Sequence, residues 1–539
     1  MINNRFYPLL VLALVFFAHA PSLNSGFHYD DQHSLLDNPH IRDLGNLPRF
    51  FIDPTAFSAN PEFAMYRPLV LVAHALNFAI GDYDPWGYQL LNLAIHCLAS
   101  LLVYALLLQW PLPAAAAFAG ALIFGLHPVQ TQAVNFVSSR SESMAALFYL
   151  GAFYGYLRGK TLPSLCSFIL ALLCKATAIT LPFTLALYAL FYGNGLKSIR
   201  RQWIYWLLSI GYIAIYMGLT APGTGIERAT HVRPLTAQLT TQSKAIIHYI
   251  QLIAMPVDLN IQQQFFVSES PLHLVPLLSL GVIASLAYLI ARARPALLAF
   301  VPLFTVGVLS PTLLLPLHIL VNDHRLYLAI FAVSLLLASL MQQIRREYIW
   351  LICLLFTGLS LQRGQIWQSD ITLWQDAVQK APLMPEAHYN HGYALHSIGD
   401  TDGALDAYIQ ATHLQPSYAR AQNNLGAIYQ QRGQLKEALQ AYRIALKAEP
   451  DVVETLNNMG LCYTKLGQTN EAMALYRRAV ALDDSQAEIW LNLGLLYRDT
   501  RQMSEAAQAL GRALLLDPTI SQRFPAQGKA GDLPPVHRP

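Results

Sequence analysis

Up to about residue 362 the chain is a succession of apolar runs separated by short polar connections. Eleven runs of membrane-spanning character lie near 7–24, 86–109, 113–127, 143–158, 162–174, 176–193, 202–220, 272–291, 296–310, 326–343 and 348–362. Pro182, Pro302 and Pro311 predict kinks or breaks, which a bundle tolerates where neighbouring helices satisfy the freed carbonyls. The first run carries a basic residue, an apolar stretch and Ala18-His19-Ala20, as a signal peptide does. Pro21 directly behind it disfavours cleavage, so an uncleaved signal-anchor helix is expected. RPLVLVAHALNFAI, within the connection 40–83, is too short to span. Residues 221–271 read as outside helices lying partly in the interface, with a re-entrant or extra span around 244–255 as the alternative.

Past the junction RGQIWQSDITLWQDAVQK the period changes to 34 residues. Gly392, Gly426, Gly460 and Gly494 form one row, Ala404, Ala438, Ala472 and Ala506 a second, Ala411, Ala445, Ala479 and Ala513 a third. Tyr408, Tyr442 and Tyr476 form a fourth, with Leu510 in the last copy; Pro416, Pro450 and Pro518 close their units, and Asp484 departs. Small residues let two helices approach while the aromatic row fills between units. This resembles the tetratricopeptide repeat in four copies over 385–518, a pattern specific for fold and nearly silent on function. The tail 521–539, rich in Pro and Gly, reads as disordered.

Composition sharpens this picture. Of 539 residues 54% are hydrophobic and only 12% charged, about half the usual fraction, which points to a polytopic membrane protein. A net charge of +3 gives no case for nucleic-acid binding. The five cysteines, four in apolar segments and one far away, suggest neither a disulfide framework nor a zinc site. Arg5, Arg158, Lys160, Lys197, Arg200, Arg201, Arg292, Arg294, Arg345 and Arg346 fall on one side if the N-terminus is cytoplasmic. The first outside loop, 25–65, holds six acids against Arg42 and Arg49, the asymmetry of the positive-inside rule. An odd span count then places the repeats outside, in the periplasm if the membrane is a bacterial inner membrane.

The candidate chemistry sits in that loop, in FHYDDQHSLLDN at 27–38, where Asp30 and Asp31 are adjacent. Carboxylates beside a membrane suit glycosyl transfer from a lipid-linked sugar phosphate, because an acceptor hydroxyl must lose its proton as it attacks an oxocarbenium-like carbon. A phosphate leaving group needs charge stabilisation more than a general acid, so Arg or a metal can replace a second carboxyl. Neighbouring side chains diverge, so one acid is expected as base and the other to orient it, pair with Arg or hold a cation. Mutual repulsion is expected to raise one pKa. The bland alternative, a helix cap and a polar loop residue, carries roughly half the weight on spacing alone. His96 and His127 lack metal-ligand spacing and read as hydrogen-bonded packing residues.

FHYDDQHSLLDNP, YRPL at 66–69, YQLLNLAIH at 88–96, HPVQTQAVNFVSSRSESMAALFYL at 127–150, RLYL at 325–328 and WQSDITLW together resemble the transmembrane and tetratricopeptide-repeat O-mannosyltransferases. That family is a branch of the polyprenyl-phosphate-sugar-dependent membrane glycosyltransferases called GT-C. The resemblance implies an all-α fold and transfer of a mannose-like hexose from a polyprenyl-phosphate donor to protein Ser/Thr hydroxyls by inverting displacement. It implies Asp30 and Asp31 as the catalytic pair, with Asp30 the preferred base, and Arg140 and Glu142 as a matching Arg-x-Glu. Lys175, between apolar helices, Arg67, just past the first loop, and Arg325, at the outside end of a span, are placed to meet the donor phosphate, with snorkelling, capping and interfacial anchoring as the bland alternatives. Family glutamates are replaced by Gln132 and Ala176, which leaves a divalent cation and the donor's identity open.

The expected organisation is a membrane glycosyltransferase-like domain over 1–362, a junction over 363–384, repeats over 385–519 and a tail over 520–539. Expected partners are the polyprenyl-phosphate sugar, membrane lipid, and an acceptor protein or peptide held on the repeats. The competing classes are a transferase or ligase acting on lipid or polysaccharide, and a non-catalytic repeat scaffold of an envelope assembly.

Overall fold

The computed structural model describes residues 4–60, 63–193, 195–220, 233–292, 296–341 and 346–520. The expected disordered tail and the start of the 221–271 connection lie outside them. Among the described residues no strand occurs, and contacts divide the chain between Leu373 and Trp374 into two units.

In the first unit every expected apolar segment contains helix, beginning with Tyr7–His19 and ending with Arg346–Ile366. Among the described residues four helical stretches are long and apolar enough to cross a membrane alone: Asn4–Asn24, Pro85–Leu107, Leu297–Leu314 and Glu347–Ile366. Ala114–Leu126 joins them if its 46° bend into Pro128–Asn135 counts as one span. Thr161–Cys174, Ala176–Tyr192, Trp203–Leu219, Leu274–Ile290 and Ile330–Leu340 are apolar but shorter, so among the described residues the expected count of eleven spans is not confirmed. Several apolar helices packed side by side are what a multi-pass membrane protein requires.

The first helix packs one face against the bundle and leaves Leu9, Phe16 and Phe17 exposed on the other. Val11, Val15 and Ala18 are fully buried where Tyr7–His19 meets Pro85–Leu107, Ala114–Leu126 and Arg346–Ile366. A side chain at Gly125 would come within 2.3 Å of Val15, so only glycine permits this approach. His127 turns extended after Leu126 and Pro128 follows, which breaks the helix and frees its last carbonyls. The Gly125 carbonyl accepts from Nε2 of both His19 and His96, each at 2.9 Å, and His96 Nδ1 accepts from the Tyr327 hydroxyl at 2.7 Å. His127 donates to the Ile253 carbonyl at 3.0 Å. The histidines expected to pack do so by capping this break.

RPLVLVAHALNFAI forms the helix Pro68–Gly81, half of it buried. The segment near 244–255 belongs to Leu235–Ala254, whose buried side includes Gln238, Thr241 and Gln242. It is not among the helices apolar enough to span.

The second unit is built of helix pairs: Pro385–Ser397 with Thr401–Leu414, Ala419–Gln431 with Leu435–Ala448, Val453–Lys465 with Thr469–Leu482, and Ala487–Asp499 with Met503–Leu516. The row of glycines is explained by the row opposite. A Cβ at Gly392, Gly426, Gly460 or Gly494 would lie 2.8, 2.6, 2.6 or 2.7 Å from Tyr408, Tyr442, Tyr476 or Leu510. The turns inside the pairs carry a further row, Gly399, Gly433 and Gly467, with φ of 86°, 74° and 72°. Arg501 stands in the fourth copy at φ 62°, a left-handed conformation that costs a residue with a Cβ.

Candidate active site

The two adjacent acids occupy opposite environments. A tight turn runs from His28 to Asp31, with Tyr29 at φ 47° between them. The turn is closed twice: Asp31 N–H donates to the His28 carbonyl at 2.9 Å, and His28 N–H donates to Asp31 Oδ2 at 3.0 Å. Asp31 Oδ1 accepts from the Ser138 amide at 2.8 Å and its hydroxyl at 2.5 Å. Asp31 is completely buried, and that burial pushes its carboxyl up to about 6, against the downward pull of the Ser138 and His28 bonds. Repulsion between the two acids is therefore not what raises a pKa here; desolvation is. The Asp30 side chain is 44% exposed, and His33 Nε2 lies 3.7 Å from its Oδ1.

Beyond Asp30 lies a group of buried charges contributed by separate elements. Arg67 precedes the helix Pro68–Gly81, donates to Ser141 Oγ at 3.2 Å and lies 5.4 Å over the Phe57 ring. Asp53, the acid of the preceding loop, pairs instead with Arg49. Burial lowers the Arg67 pKa, while Glu142, Tyr216, Tyr212 and Asp30 oppose that shift. Lys175, in the break after Thr161–Cys174, makes a short ion pair with Glu142 in the first turn of Arg140–Leu157. Burial pulls the Lys175 ammonium down to about 8; Glu142 raises it, and Arg67 and Arg325 lower it further. His324 Nε2 lies 3.6 Å from the same Glu142 oxygen, and its backbone N–H donates to Gln132 Oε1 at 3.0 Å. Burial holds His324 well below the usual range, and Lys175, Arg325 and Arg67 add to this, so the imidazole is neutral. Arg325 donates to the Leu320 and Ile319 carbonyls at 3.0 and 2.8 Å.

Glu142 and Arg325 stand on the wall of a small, open-sided cavity of about 30 Å³. Its remaining wall is mostly apolar, including Ala145, Ala146, Ala178, Val308 and Leu309. Charge occupies one part of this wall and hydrocarbon most of the rest. Among the described residues no group of three or more His, Cys, Asp or Glu comes together that could hold a metal. Sequence reading missed His324 as a member; its place between Asp323 and Arg325 in the apolar-flanked NDHR was the available signal.

Arg140 does not join this group. It is completely buried and donates to Asn92 Oδ1 at 2.6 Å, Asn77 Oδ1 at 2.8 Å and the Tyr88 carbonyl at 2.9 Å. A guanidinium committed to these protein acceptors ties helices together.

These features define a helical, apolar-helix-rich protein with a buried charged cluster, extended by tetratricopeptide repeats. Residues 417–485 and 463–523 match family models described as Tetratricopeptide repeat, and 392–431 one described as TPR repeat. The chain is similar to human Protein O-mannosyl-transferase TMTC3, 24% identical over 77% of this chain and 52% of that protein. It is also similar to Drosophila melanogaster Protein O-mannosyl-transferase Tmtc1, 34% identical over 31% of this chain and 21% of that protein. The chain spans about half the length of TMTC3 from human and mouse. Among solved structures, the MamA RS-1 ArsTM double mutant aligns at TM-score 0.27 and 22% identity over 30% of this chain and 90% of that one.

Proposed function

We propose that the chain is an integral-membrane glycosyltransferase that moves one mannose-like hexose from a polyprenyl-phosphate donor to Ser or Thr hydroxyls of an extracytoplasmic protein. The observation that carries this reading is the convergence of Arg67 and Lys175 on Glu142, with Arg325 in electrostatic reach of Lys175 and Asp30 in reach of Arg67, beside a small, mostly apolar cavity lined by Glu142 and Arg325. Similarity to proteins named O-mannosyl-transferases supports the reaction class.

In this reading Asp30 accepts the proton of the acceptor hydroxyl as its oxygen attacks the anomeric carbon. The bond from that carbon to the phosphate oxygen breaks, the electron pair leaves with the polyprenyl phosphate, and a single displacement inverts the centre. Lys175 and the two arginines stabilise the charge that accumulates on the departing phosphate. Glu142 orients Lys175, and Asp31 holds the turn rather than meeting the substrate. The membrane unit binds the lipid donor, the repeats bind the acceptor peptide on the concave surface that stacked helix pairs form, and both face the side opposite the cytoplasm.

Cells carrying wild type or Asp30→Asn, matched for expression, test this by intact mass of envelope and secreted proteins. Loss of single-hexose increments in the variant is expected. An unchanged mass pattern would favour the non-catalytic scaffold, a reading that Gln132 and Ala176 in place of family glutamates would then support.

A further inference from the structure

The turn that presents Asp30 is held from a distant part of the chain. His28 is 2% exposed, and its Nδ1–H donates to Asp370 Oδ1 at 2.6 Å, across 342 residues of sequence. Its ring meets the edge of Trp367 at 5.7 Å, and Trp367, itself completely buried, stacks on Phe136 at 5.8 Å. Asp370 is not adrift either. It is the first residue of the helix Asp370–Lys380, and Ser369 Oγ accepts the Thr372 N–H at 3.2 Å as a cap at that start.

The backbone consequences follow from the closures of the turn. His28 and Asp31 are bonded to each other in both directions, and the left-handed Tyr29 between them is a conformation that persists only where surroundings over-determine it. Ser138 fixes the Asp31 end, and Asp370 fixes the His28 end. Asp30, the residue inside this clasp with an exposed carboxylate, inherits its direction from both.

We infer that Asp370, acting through His28, is the positioning residue that holds the Asp30 turn in its strained geometry. Asp370 touches no substrate in this assignment. Its link to catalysis rests on the transferase reading above, whereas its hold on the turn does not.

The test uses the full chain purified into lipid nanodiscs, as wild type, Asp370→Ala and Asp370→Asn. Asp370 is 42% exposed, so neither change threatens the fold. Hydrogen exchange is followed in a peptide covering 28–36 and, as a control, in one from the buried helix Pro85–Leu107. Asp370→Ala is expected to speed exchange in the turn about tenfold without changing the control. With polyprenyl-phosphate mannose and a Ser/Thr-rich peptide, kcat should fall about 10- to 100-fold while the donor KM stays within about twofold. Asp370→Asn should restore both readouts, because its amide oxygen accepts the same N–H. Unchanged exchange in the 28–36 peptide of Asp370→Ala overturns the inference, as does equal loss of protection in the control. Faster exchange in the turn of a protein whose wild type transfers no sugar upholds the positioning role and removes the transferase reading instead.

Discussion

Replacing Asp31 by Asn sets two opposed terms against each other, and pH separates them. The carboxylate accepts three hydrogen bonds, from Ser138 N–H, Ser138 O–H and His28 N–H. An amide can keep the two from Ser138 but must then turn its NH2 towards the His28 N–H, which leaves a buried donor unpartnered at a cost of about 1–3 kcal/mol. Against this, burial raises the Asp31 carboxyl from 3.8 to about 6. That difference corresponds to about 3 kcal/mol held against the folded state once the group is ionised. The sign follows from linkage: the folded protein keeps its proton to higher pH than the unfolded chain, so stability contributed by protonated Asp31 is present below 3.8 and lost as pH rises through about 6. Wild type should therefore be clearly more stable than Asp31→Asn at pH 4.5, with the gap closing or reversing at pH 7.5. Thermal unfolding of both proteins in nanodiscs at the two pH values measures this. A gap that widens with rising pH would mean that the hydrogen bonds outweigh desolvation, and the argument for a buried, reluctant carboxylate would fail.

Lys175→Met should raise the donor KM about tenfold or more, since a hydrogen bond to a charged group is worth about 1.5–3 kcal/mol. It should also remove the fall in wild-type activity expected as pH rises through about 8, where the Lys175 ammonium loses its proton; steady-state rates between pH 6.5 and 9.5 check both. Gly426→Ala places a methyl 2.6 Å from the Tyr442 ring and should destabilise the repeats by about 1–3 kcal/mol, read from chemical denaturation. Arg501→Gly relieves the left-handed position in the fourth turn and should stabilise the same transition by about 1 kcal/mol; no change would mean that the Arg501 side chain offsets the backbone cost.

The repeats were legible because their period is written into the chain. A glycine every 34 residues can only be read as a place where an opposing side chain comes too close, and Tyr408, Tyr442 and Tyr476 at the same period show which one. Apolar runs likewise announced helices in the first unit, since a helix that is hydrophobic all round must be buried or lipid-facing. Length was harder to read, because breaks such as Gly125–His127 depend on which side chains take over the freed carbonyls. The pair Asp30-Asp31 was visible, but the division of labour between its members was not. Burial of Asp31 depends on Ser138, 107 residues away, and the hold on His28 comes from Asp370. Arg140 shows the same limit: an Arg-x-Glu looks like one motif, yet two residues apart on one helical turn the side chains point to opposite faces, one among helix-tying amides and the other at the cavity wall.

The carbonyl of Gly125 has both of its lone pairs occupied by imidazole N–H groups. A bent helix inside a bilayer ordinarily invites a water molecule into the gap, and a chain of such waters is how a proton finds a path across. Here the Gly125 carbonyl itself has no lone pair left to hold one. The kink can thus serve shape, letting the bundle bury irregular backbone in its interior.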